Sequence, residues 1–443
     1  MSNDGRGKGL DDPAGLLCQM NKKYTLWRMR AFAITWIAYA GFYLCRKNLA
    51  VAKVSLKEEF GFDNLQLGYI GTAYLATYAI GQFLNGVLGD KLGARITVGL
   101  GLLIAAISNF IFPLGTTAGF MMVLYGINGY AQATGWPGLV KTMGNWFSIR
   151  ERGIVMAWWG TCYQLGSAIA TAFAAYLLSV WGWRHAFFVP AISLFGIALL
   201  FLTFQREQPE DVGLPDIETW REKEPKEEAG ETTVTQARPL SSTIRKVLSN
   251  PTVWLLGWGY FCLKLIRYSL MFWLPLYMVE QLGYKPDHAG YYSVSMEIGG
   301  FLGTLFAGYA SDRLFGSRRG PICALMFLGL ALSLYAHTHF VLMGIFWNVA
   351  SMALVGFMIY GPDSVMSGAA AMDFGTKEGS STAAGFINGM GSVGAALEGI
   401  LVGYVSLAFG WNFLFYILVG LALIGTGLMA TRWKTEAPHR MTA

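Results

Sequence analysis

Long apolar stretches separated by short polar segments dominate the hydropathy pattern of this chain. Each stretch holds about 20 residues, which is enough for an α-helix to cross the hydrocarbon core of a bilayer. We predict twelve such spans, numbered 1 to 12, at 29–53, 66–89, 96–114, 118–140, 153–178, 184–204, 252–279, 289–311, 321–337, 340–364, 380–405 and 411–431. The pattern therefore predicts an all-α membrane protein.

A polar segment divides the twelve spans into two groups of six. It contains acidic, basic and proline residues and lacks a long apolar run. We expect a cytoplasmic N-terminal tail at 1–28 and a first six-helix bundle at 29–205. A cytoplasmic linker at 206–250 then leads to a second six-helix bundle at 251–432 and a cytoplasmic tail at 433–443.

Composition and charge placement agree with this topology. The chain is 14% charged, whereas soluble proteins carry about 25%. About two dozen of the 33 Lys and Arg lie in the tails, the linker and alternate loops, whereas Lys57, Arg184 and Lys285 lie in the opposite loops. The positive-inside rule therefore places both termini in the cytoplasm, and we expect a multi-pass protein of a bacterial inner (plasma) membrane. The positive charge reflects topology and does not indicate nucleic-acid binding.

The two halves repeat several features at a nearly constant offset. Asp90 in "GVLGDKLGAR" of span 2 and Asp312 in "GYASDRLFGSR" of span 8 lie 222 residues apart. Pro137 and Pro362 lie 225 apart, and Gly166 and Gly394, expected at close helix contacts, lie 228 apart. Repeats of this kind predict two six-helix bundles related by a pseudo-two-fold axis along the membrane normal.

Cations inside spans 1 and 7 follow the same offset. "YLCRKNLAVAK" places Arg46 and Lys47 in span 1, and "FCLKLIRYSLMF" places Lys264 and Arg267 in span 7, with the two arginines 221 residues apart. A cation at a helix centre costs about 2.5–3.5 kcal/mol in lipid, so four would cost on the order of 10 kcal/mol. We therefore expect these side chains to face a polar cavity between the halves.

Paired guanidinium groups suit a phosphate, because their fork of donors matches its oxygens. Glu297 in span 8 and Asp363 in span 10 offset part of the charge. If all six groups line one cavity, about two positive charges remain, which complements a phosphate monoester of about −1.5 to −2. Structural ion pairs that hold helices together are the alternative, chiefly for Lys47, Lys264 and the two acids.

Several motifs resemble the major facilitator superfamily and, within it, the organophosphate:phosphate antiporter family. "GVLGDKLGAR" and "SDRLFGSRRG" resemble the loop motif of the superfamily. "RKN", "GWPG", "NWFSIRERG", "LIRY", "YGPD" and "GTKEGSSTAAGF" are more specific and resemble the hexose-phosphate and glycerol-3-phosphate carriers. "FWLPLYM" and neighbouring segments are similar to the eukaryotic sugar-phosphate exchanger branch. The resemblance covers nearly the whole chain except the linker, and it implies the major facilitator fold.

The resemblance also implies functional residues. In this family an arginine of helix 1 and a cation of helix 7 grip phosphate, and the matching positions are Arg46 and Arg267. The predicted substrate-binding residues are Arg46, Arg267, Lys264, Tyr39, Tyr43, Tyr78, Gln82, Trp136, Tyr163, Tyr360 and Asn388. The predicted charge-balancing or coupling residues are Lys47, Glu297 and Asp363. At the cytoplasmic helix ends, Gly86, Asp90, Arg95, Asp312 and Arg313 are expected to form a gating motif.

Some positions depart from the glycerol-3-phosphate carriers. Those carriers have a lysine at the position of Gln82, a histidine at Tyr163 and an aspartate at Phe272. Lys264 is shared with the eukaryotic branch, whereas Asp363 matches neither group. We therefore expect phosphate binding by the two cations to be retained and the recognition of the organic part of the substrate to differ.

The predicted function is exchange of a phosphorylated organic anion, such as glucose 6-phosphate, for inorganic phosphate by alternating access. A transport-inactive membrane sensor of a sugar phosphate and a proton-coupled organic-anion carrier of the superfamily are the alternatives. We expect no enzyme activity, cofactor, metal or nucleic-acid partner, because the short loops hold no nucleophile, metal or nucleotide constellation. A monomer is expected by analogy, and His337 and His339 are expected to be solvated in an external loop.

Overall fold

The computed structural model describes residues 13–222, 249–315, 318–369 and 380–433, which contain helices and turns but no strand. The α-helices within these ranges are α1 (Pro13–Leu44), α2 (Asn48–Phe60), α3 (Asn64–Leu92), α4 (Ala94–Ile111), α5 (Ala118–Gln132), α6 (Gly135–Trp146), α7 (Ile149–Trp181), α8 (His185–Phe204), α9 (Ile217–Glu222), α10 (Pro251–Leu282), α11 (Pro286–Arg313), α12 (Arg319–Phe340), α13 (Ile345–Ser364), α14 (Ser380–Ala408) and α15 (Trp411–Ala430). A π-helical turn, Val365–Ala369, follows α13.

Every predicted span coincides with helical structure, so the all-α, twelve-span prediction is confirmed. Eight helical segments in the described part of the chain are long and apolar enough to cross a bilayer. The other predicted spans correspond to α3, to α11 and to two pairs of helices, α1 with α2 and α5 with α6. The helices α5 and α6 have 15 and 12 residues, so neither is long enough to cross a bilayer alone.

Span 1 is broken at its cations, whereas hydropathy predicts one continuous helix. The helix α1 ends at Leu44 and α2 begins at Asn48. Freed backbone carbonyls at membrane depth need partners. The amide Nδ2 of Asn128 donates to the carbonyl of Cys45 at 2.8 Å, and the hydroxyl of Tyr125 donates to the carbonyl of Arg46 at 2.7 Å. Side chains of α5 therefore supply the hydrogen-bond donors that these carbonyls need at the break.

Span 4 is broken as well, between α5 and α6. The break lies at residues 133–134, and Pro137 is in the first turn of α6. A proline ring clashes with the carbonyl four residues earlier, which here belongs to Ala133. The result places Gln132, the last residue of α5, beside the break in span 1, where its side chain contacts Arg46.

The halves pack against each other at one end of the bundle. A Cβ atom on Gly399 of α14 would collide with the carbonyl oxygen of Gly68 of α3. A Cβ on Gly290 of α11 would lie 2.6 Å from Cβ of Ala175 of α7. This end carries Lys57, which forms an ion pair with Glu280 across the two halves. It is the end that the distribution of Lys and Arg predicts to be external.

Repeated glycines also mark close contacts inside each half. A Cβ on Gly166 would lie 2.8 Å from Cα of Ala40, where α7 crosses α1. A Cβ on Gly394 would lie 2.5 Å from the carbonyl oxygen of Phe261, where α14 crosses α10. The predicted role of these two glycines in close helix packing is confirmed, and it is the same in both halves.

Two parts of the chain differ from the sequence prediction. The helix α1 begins at Pro13, and the first part of the predicted linker folds back against it: the hydroxyl of Tyr24 donates to the carbonyl of Pro215 at 3.1 Å, and its ring stacks on Trp220. The prediction that His337 is solvated is wrong. It is fully buried, with Nδ1 2.8 Å from the hydroxyl of Ser351, because α12 extends beyond the predicted end of span 9.

Candidate functional site: a cationic cavity between the halves

A cavity of about 640 Å³ lies between the two halves. Its wall includes ten of the eleven predicted substrate-binding residues: Tyr39, Tyr43, Arg46, Tyr78, Gln82, Trp136, Tyr163, Lys264, Arg267 and Asn388. Tyr360, the remaining one, is fully buried behind Arg267 and does not line the cavity. Asp363, Tyr260 and Tyr268 lie in the same wall. The volume falls within the range of small-molecule sites.

Arg46 lies at the break between α1 and α2 and has neutral partners. Its Nε donates to Oε1 of Gln132 at 3.0 Å, and the hydroxyl of Tyr74 donates to the same oxygen at 2.9 Å. The guanidinium carbon lies 4.5 Å from the ring centre of Tyr43 and 5.0 Å from that of Tyr78. Within the described residues, no carboxylate pairs with Arg46 and its Nη2 has no acceptor. The aromatic faces and the amide stabilise the cation without neutralising it.

Arg267 lies in the uninterrupted helix α10 and has an anionic partner. Its Nη1 donates to Oδ2 of Asp363 at 2.8 Å, with side-chain exposures of 6% and 5%. The guanidinium carbon lies 4.3 Å from the ring centre of Tyr360 and 5.5 Å from that of Tyr163. This arrangement makes a neutral ion pair in the wall of the cavity.

Lys264 lies one turn before Arg267 on the same face of α10. Its ammonium nitrogen lies 5.1 Å from the ring centre of Tyr260 and 5.6 Å from that of Tyr268. Among the described residues it forms no ion pair. Among the described residues, the cavity wall therefore carries three cations and one carboxylate, a formal net charge of +2, and the two cations without a charged partner there are Arg46 and Lys264.

Lys47 and Glu297 form a separate pair outside the cavity wall. The ammonium of Lys47 donates to Oε1 of Glu297 and to the carbonyl of Met271, both at 3.1 Å. Ser167 of α7 donates to the same carboxylate at 2.7 Å, and the hydroxyl of Tyr360 donates to its other oxygen. The condition that all six charged groups line one cavity is therefore not met, and Lys47 and Glu297 instead form an ion pair between the halves, as in the alternative of structural ion pairs. Since the pair is neutral, the expected excess of two positive charges is unchanged.

Two further charged residues, Lys53 and Glu398, are buried inside the predicted spans and are not among the predicted site residues. Lys53 is 1% exposed, and its ammonium nitrogen lies 3.1 Å from the ring centre of Trp273. The indole Nε1 of Trp273 donates to Glu398, a fully buried acid of α14, at 2.8 Å. A signal was available, because any ionisable residue within a membrane span indicates a polar interior.

The predicted gating residues are only partly described. Arg95 donates through Nε to the carbonyl of Leu202 at 2.7 Å, and its backbone N–H donates to Glu207 at 3.0 Å. Arg313 is exposed at the end of α11. The side chains of Asp90 and Asp312 and the surroundings of Gly86 lie outside the described residues. The predicted gating motif therefore stays a prediction.

A family model described as Major Facilitator Superfamily matches residues 35–397 and 289–442. The chain belongs to this superfamily. It is 33% identical over 430 residues to the "Probable hexose phosphate transport protein" of Chlamydia trachomatis, covering 94% of this chain and 93% of that protein. Within the superfamily, this places the chain in the organophosphate:phosphate antiporter family.

Two further comparisons complete this picture. The "Membrane sensor protein UhpC" of Salmonella typhimurium is 28% identical over 427 residues, with 95% of each chain covered. The solved structure of a bacterial homologue of the human lysosomal transporter Spinster matches with a TM-score of 0.71 at 13% identity, covering 92% of this chain and 94% of that one. The structural match shows the major facilitator fold. The sequence relatives indicate a membrane protein of the organophosphate transport family.

Proposed function

We propose that this protein exchanges a phosphorylated organic anion, with a sugar phosphate such as glucose 6-phosphate as the first candidate, for inorganic phosphate. The observation that carries the proposal is the net charge of +2 in the cavity, which comes from Arg46 and Lys264. A phosphate dianion matches this charge, and the hydroxyls of Tyr39, Tyr43 and Tyr78 are able to donate to its oxygens. The protein acts as a monomer in a bacterial inner membrane with both termini in the cytoplasm.

The same charges suggest why transport is an exchange. In the empty site, closing the halves around Arg46 and Lys264 would remove water from two cations that pair with no carboxylate in the described parts of the chain. Burial of an unpaired charge is costly, and a bound phosphate removes most of that cost. Only the loaded protein therefore changes readily between its two open states, so each outward passage of phosphate is coupled to an inward passage of the organic phosphate.

Ion pairs between the halves would break in the alternate state. Lys47 with Glu297 and Lys57 with Glu280 each join the first half to the second. They stabilise the state in which the predicted external end is closed. Opening that end breaks both pairs, so contacts formed in the alternate state must offset their loss.

A membrane sensor of a sugar phosphate is a second candidate, favoured by the similarity to a relative named as a membrane sensor protein. A sensor needs the same cationic cavity for binding, so the site residues do not separate the two functions. Transport does. A sensor would bind the organic phosphate without moving it across the membrane.

The test uses purified protein in liposomes preloaded with unlabelled phosphate. We expect uptake of labelled phosphate that requires internal phosphate and is inhibited by external glucose 6-phosphate but not by glucose. Binding of glucose 6-phosphate without any uptake would support the sensor. Absence of both binding and uptake would contradict the phosphate assignment of Arg46 and Lys264.

A further inference from the structure

The ion pair between Arg267 and Asp363 leaves two polar atoms without partners. Arg267 uses Nη1 and Asp363 uses Oδ2, whereas Nε of Arg267 and Oδ1 of Asp363 have no hydrogen-bond partner among the described residues. Both atoms are buried, and both residues line the cavity. A buried polar group without a partner costs about 1–3 kcal/mol, so a ligand that satisfies both would gain affinity.

The two unpartnered atoms are one donor and one acceptor. The Nε–H of Arg267 is able to donate, and the carboxylate oxygen of Asp363 is able to accept. A hydroxyl group, which both donates and accepts, complements the two together. A phosphate group suits the two less well, because it is an anion and its charge would lie against the carboxylate of Asp363.

The rest of the cavity has the opposite character. Arg46 and Lys264 carry positive charge with no carboxylate partner in the described parts of the chain, and Nη2 of Arg46 has no acceptor there. A phosphate group is therefore attracted to these two cations more than to the neutral pair. The cavity, at about 640 Å³, has room for both a phosphate group and a short hydroxylated carbon chain.

We propose that Arg267 and Asp363 form a hydroxyl-binding subsite for the organic part of the substrate, while Arg46 and Lys264 hold its phosphate group. This inference rests on the proposed function and adds which groups of the substrate the pair recognises. Inorganic phosphate fills only the Arg46 and Lys264 part of the cavity. The subsite therefore separates phosphate esters that carry hydroxyl groups from phosphate itself and from simple alkyl phosphates.

The first experiment uses the unmodified protein. Isothermal titration calorimetry on purified protein compares glycerol 3-phosphate with n-propyl phosphate, which has the same phosphate and chain length but no hydroxyls. We expect n-propyl phosphate to bind about tenfold more weakly or worse, because two charge-assisted hydrogen bonds are lost. Equal affinities would overturn the hydroxyl subsite.

The second experiment replaces the carboxylate. Asp363→Asn removes the charge at nearly constant shape and frees Arg267 for phosphate, so we expect tighter binding of inorganic phosphate and weaker binding of glycerol 3-phosphate. Their affinity ratio should change by about tenfold. The matched control is Glu59→Gln, which also turns a carboxylate paired with an arginine, Arg184, into an amide, but on the surface. That variant should keep the ratio.

The outcomes separate the two proposals. An unchanged ratio of the two affinities in Asp363→Asn, or a parallel loss of both, would mean that the pair only holds its helices together. That result would overturn the subsite and leave the proposed function intact. If the unmodified protein bound neither inorganic phosphate nor any phosphate ester, the proposed function itself would fail, and the subsite with it.

Discussion

Arg46 and Arg267 occupy matching positions in the two halves, yet their surroundings differ in charge and in backbone structure. Arg46 lies at a break between α1 and α2 and bonds to the neutral amide of Gln132. Arg267 lies inside the continuous helix α10 and pairs with Asp363. The repeat in the sequence therefore fixes where each arginine is placed but not what it binds. Arg46 pairs with no carboxylate in the described parts of the chain, whereas Arg267 pairs with a carboxylate of its own half.

The largest expected difference concerns stability. Arg267→Gln leaves the carboxylate of Asp363 buried without a cation, which costs about 3–5 kcal/mol in buried pairs. Arg46→Gln leaves no buried carboxylate behind, so its loss should be much smaller. Thermal unfolding of the purified variants, followed by tryptophan fluorescence, checks this order.

The double variant Arg267→Gln/Asp363→Asn is the matched control for that prediction. It removes both charges together, so we expect it to recover most of the stability lost in Arg267→Gln. A double variant as unstable as the single one would mean that the guanidinium acts through packing on Tyr360 and Tyr163 instead of through charge.

The next largest effect concerns phosphate exchange. Arg46→Lys keeps the charge but loses the planar fork of donors, so we expect exchange in liposomes to fall by about tenfold or more. Arg267→Lys should reduce exchange less, because a lysine is still able to pair with Asp363. Arg184→Lys, in the surface pair with Glu59, is the control and should exchange normally. Normal exchange by both Arg46→Lys and Arg267→Lys would contradict a role for either guanidinium group in phosphate exchange.

A smaller effect tests the break that distinguishes Arg46. Tyr125→Phe removes the hydroxyl that donates to the carbonyl of Arg46. The loss of that partner should lower stability by about 1–3 kcal/mol and weaken phosphate binding, because the backbone at Arg46 is less well held. Tyr130→Phe, on a more exposed face of the same helix α5, is the control. Equal effects of the two substitutions on the thermal midpoint would contradict the role of Tyr125.

The smallest effect concerns the contacts between the halves. Lys57→Gln removes an ion pair with Glu280 whose side chains are 30% and 25% exposed. Such pairs contribute about 0–1 kcal/mol, so we expect a slight shift toward the state that is open at this end. Faster labelling of a cysteine introduced at Ser406, near Asn64 in the same contact, would report that shift. No change in labelling would mean that the pair between Lys57 and Glu280 does not help to close this end.

The comparison of the two arginines also indicates what the sequence is able to predict. Hydropathy located all twelve spans, and the offset between Arg46 and Arg267 placed both at one cavity. The break at Arg46 was not predictable, because its support comes from Tyr125 and Asn128 on a helix far along the chain. The pairing was not predictable either. Whether Asp363 meets Arg267 or Lys264 depends on how α13 packs against α10, which a hydropathy pattern does not contain.

Lys53 and Glu398 illustrate a second limit. Lys53 is at the last position of predicted span 1, where a lysine is ordinarily solvated, and the structure instead buries it against Trp273. Since α1 ends early and α2 continues to Phe60, the span extends further than its hydropathy indicates. The hydropathy pattern therefore does not indicate that Lys53 is buried.

Binding of inorganic phosphate to two charge-changed variants tests whether Arg46 and Lys264 hold the phosphate group. Isothermal titration calorimetry would compare Arg46→Gln with Arg267→Gln/Asp363→Asn, each checked for a cooperative unfolding transition. We predict that Arg46→Gln loses phosphate binding, whereas the double variant retains it, because its cavity keeps the net charge of +2. Retained binding in Arg46→Gln together with loss in the double variant would contradict the assignment of phosphate to Arg46 and Lys264.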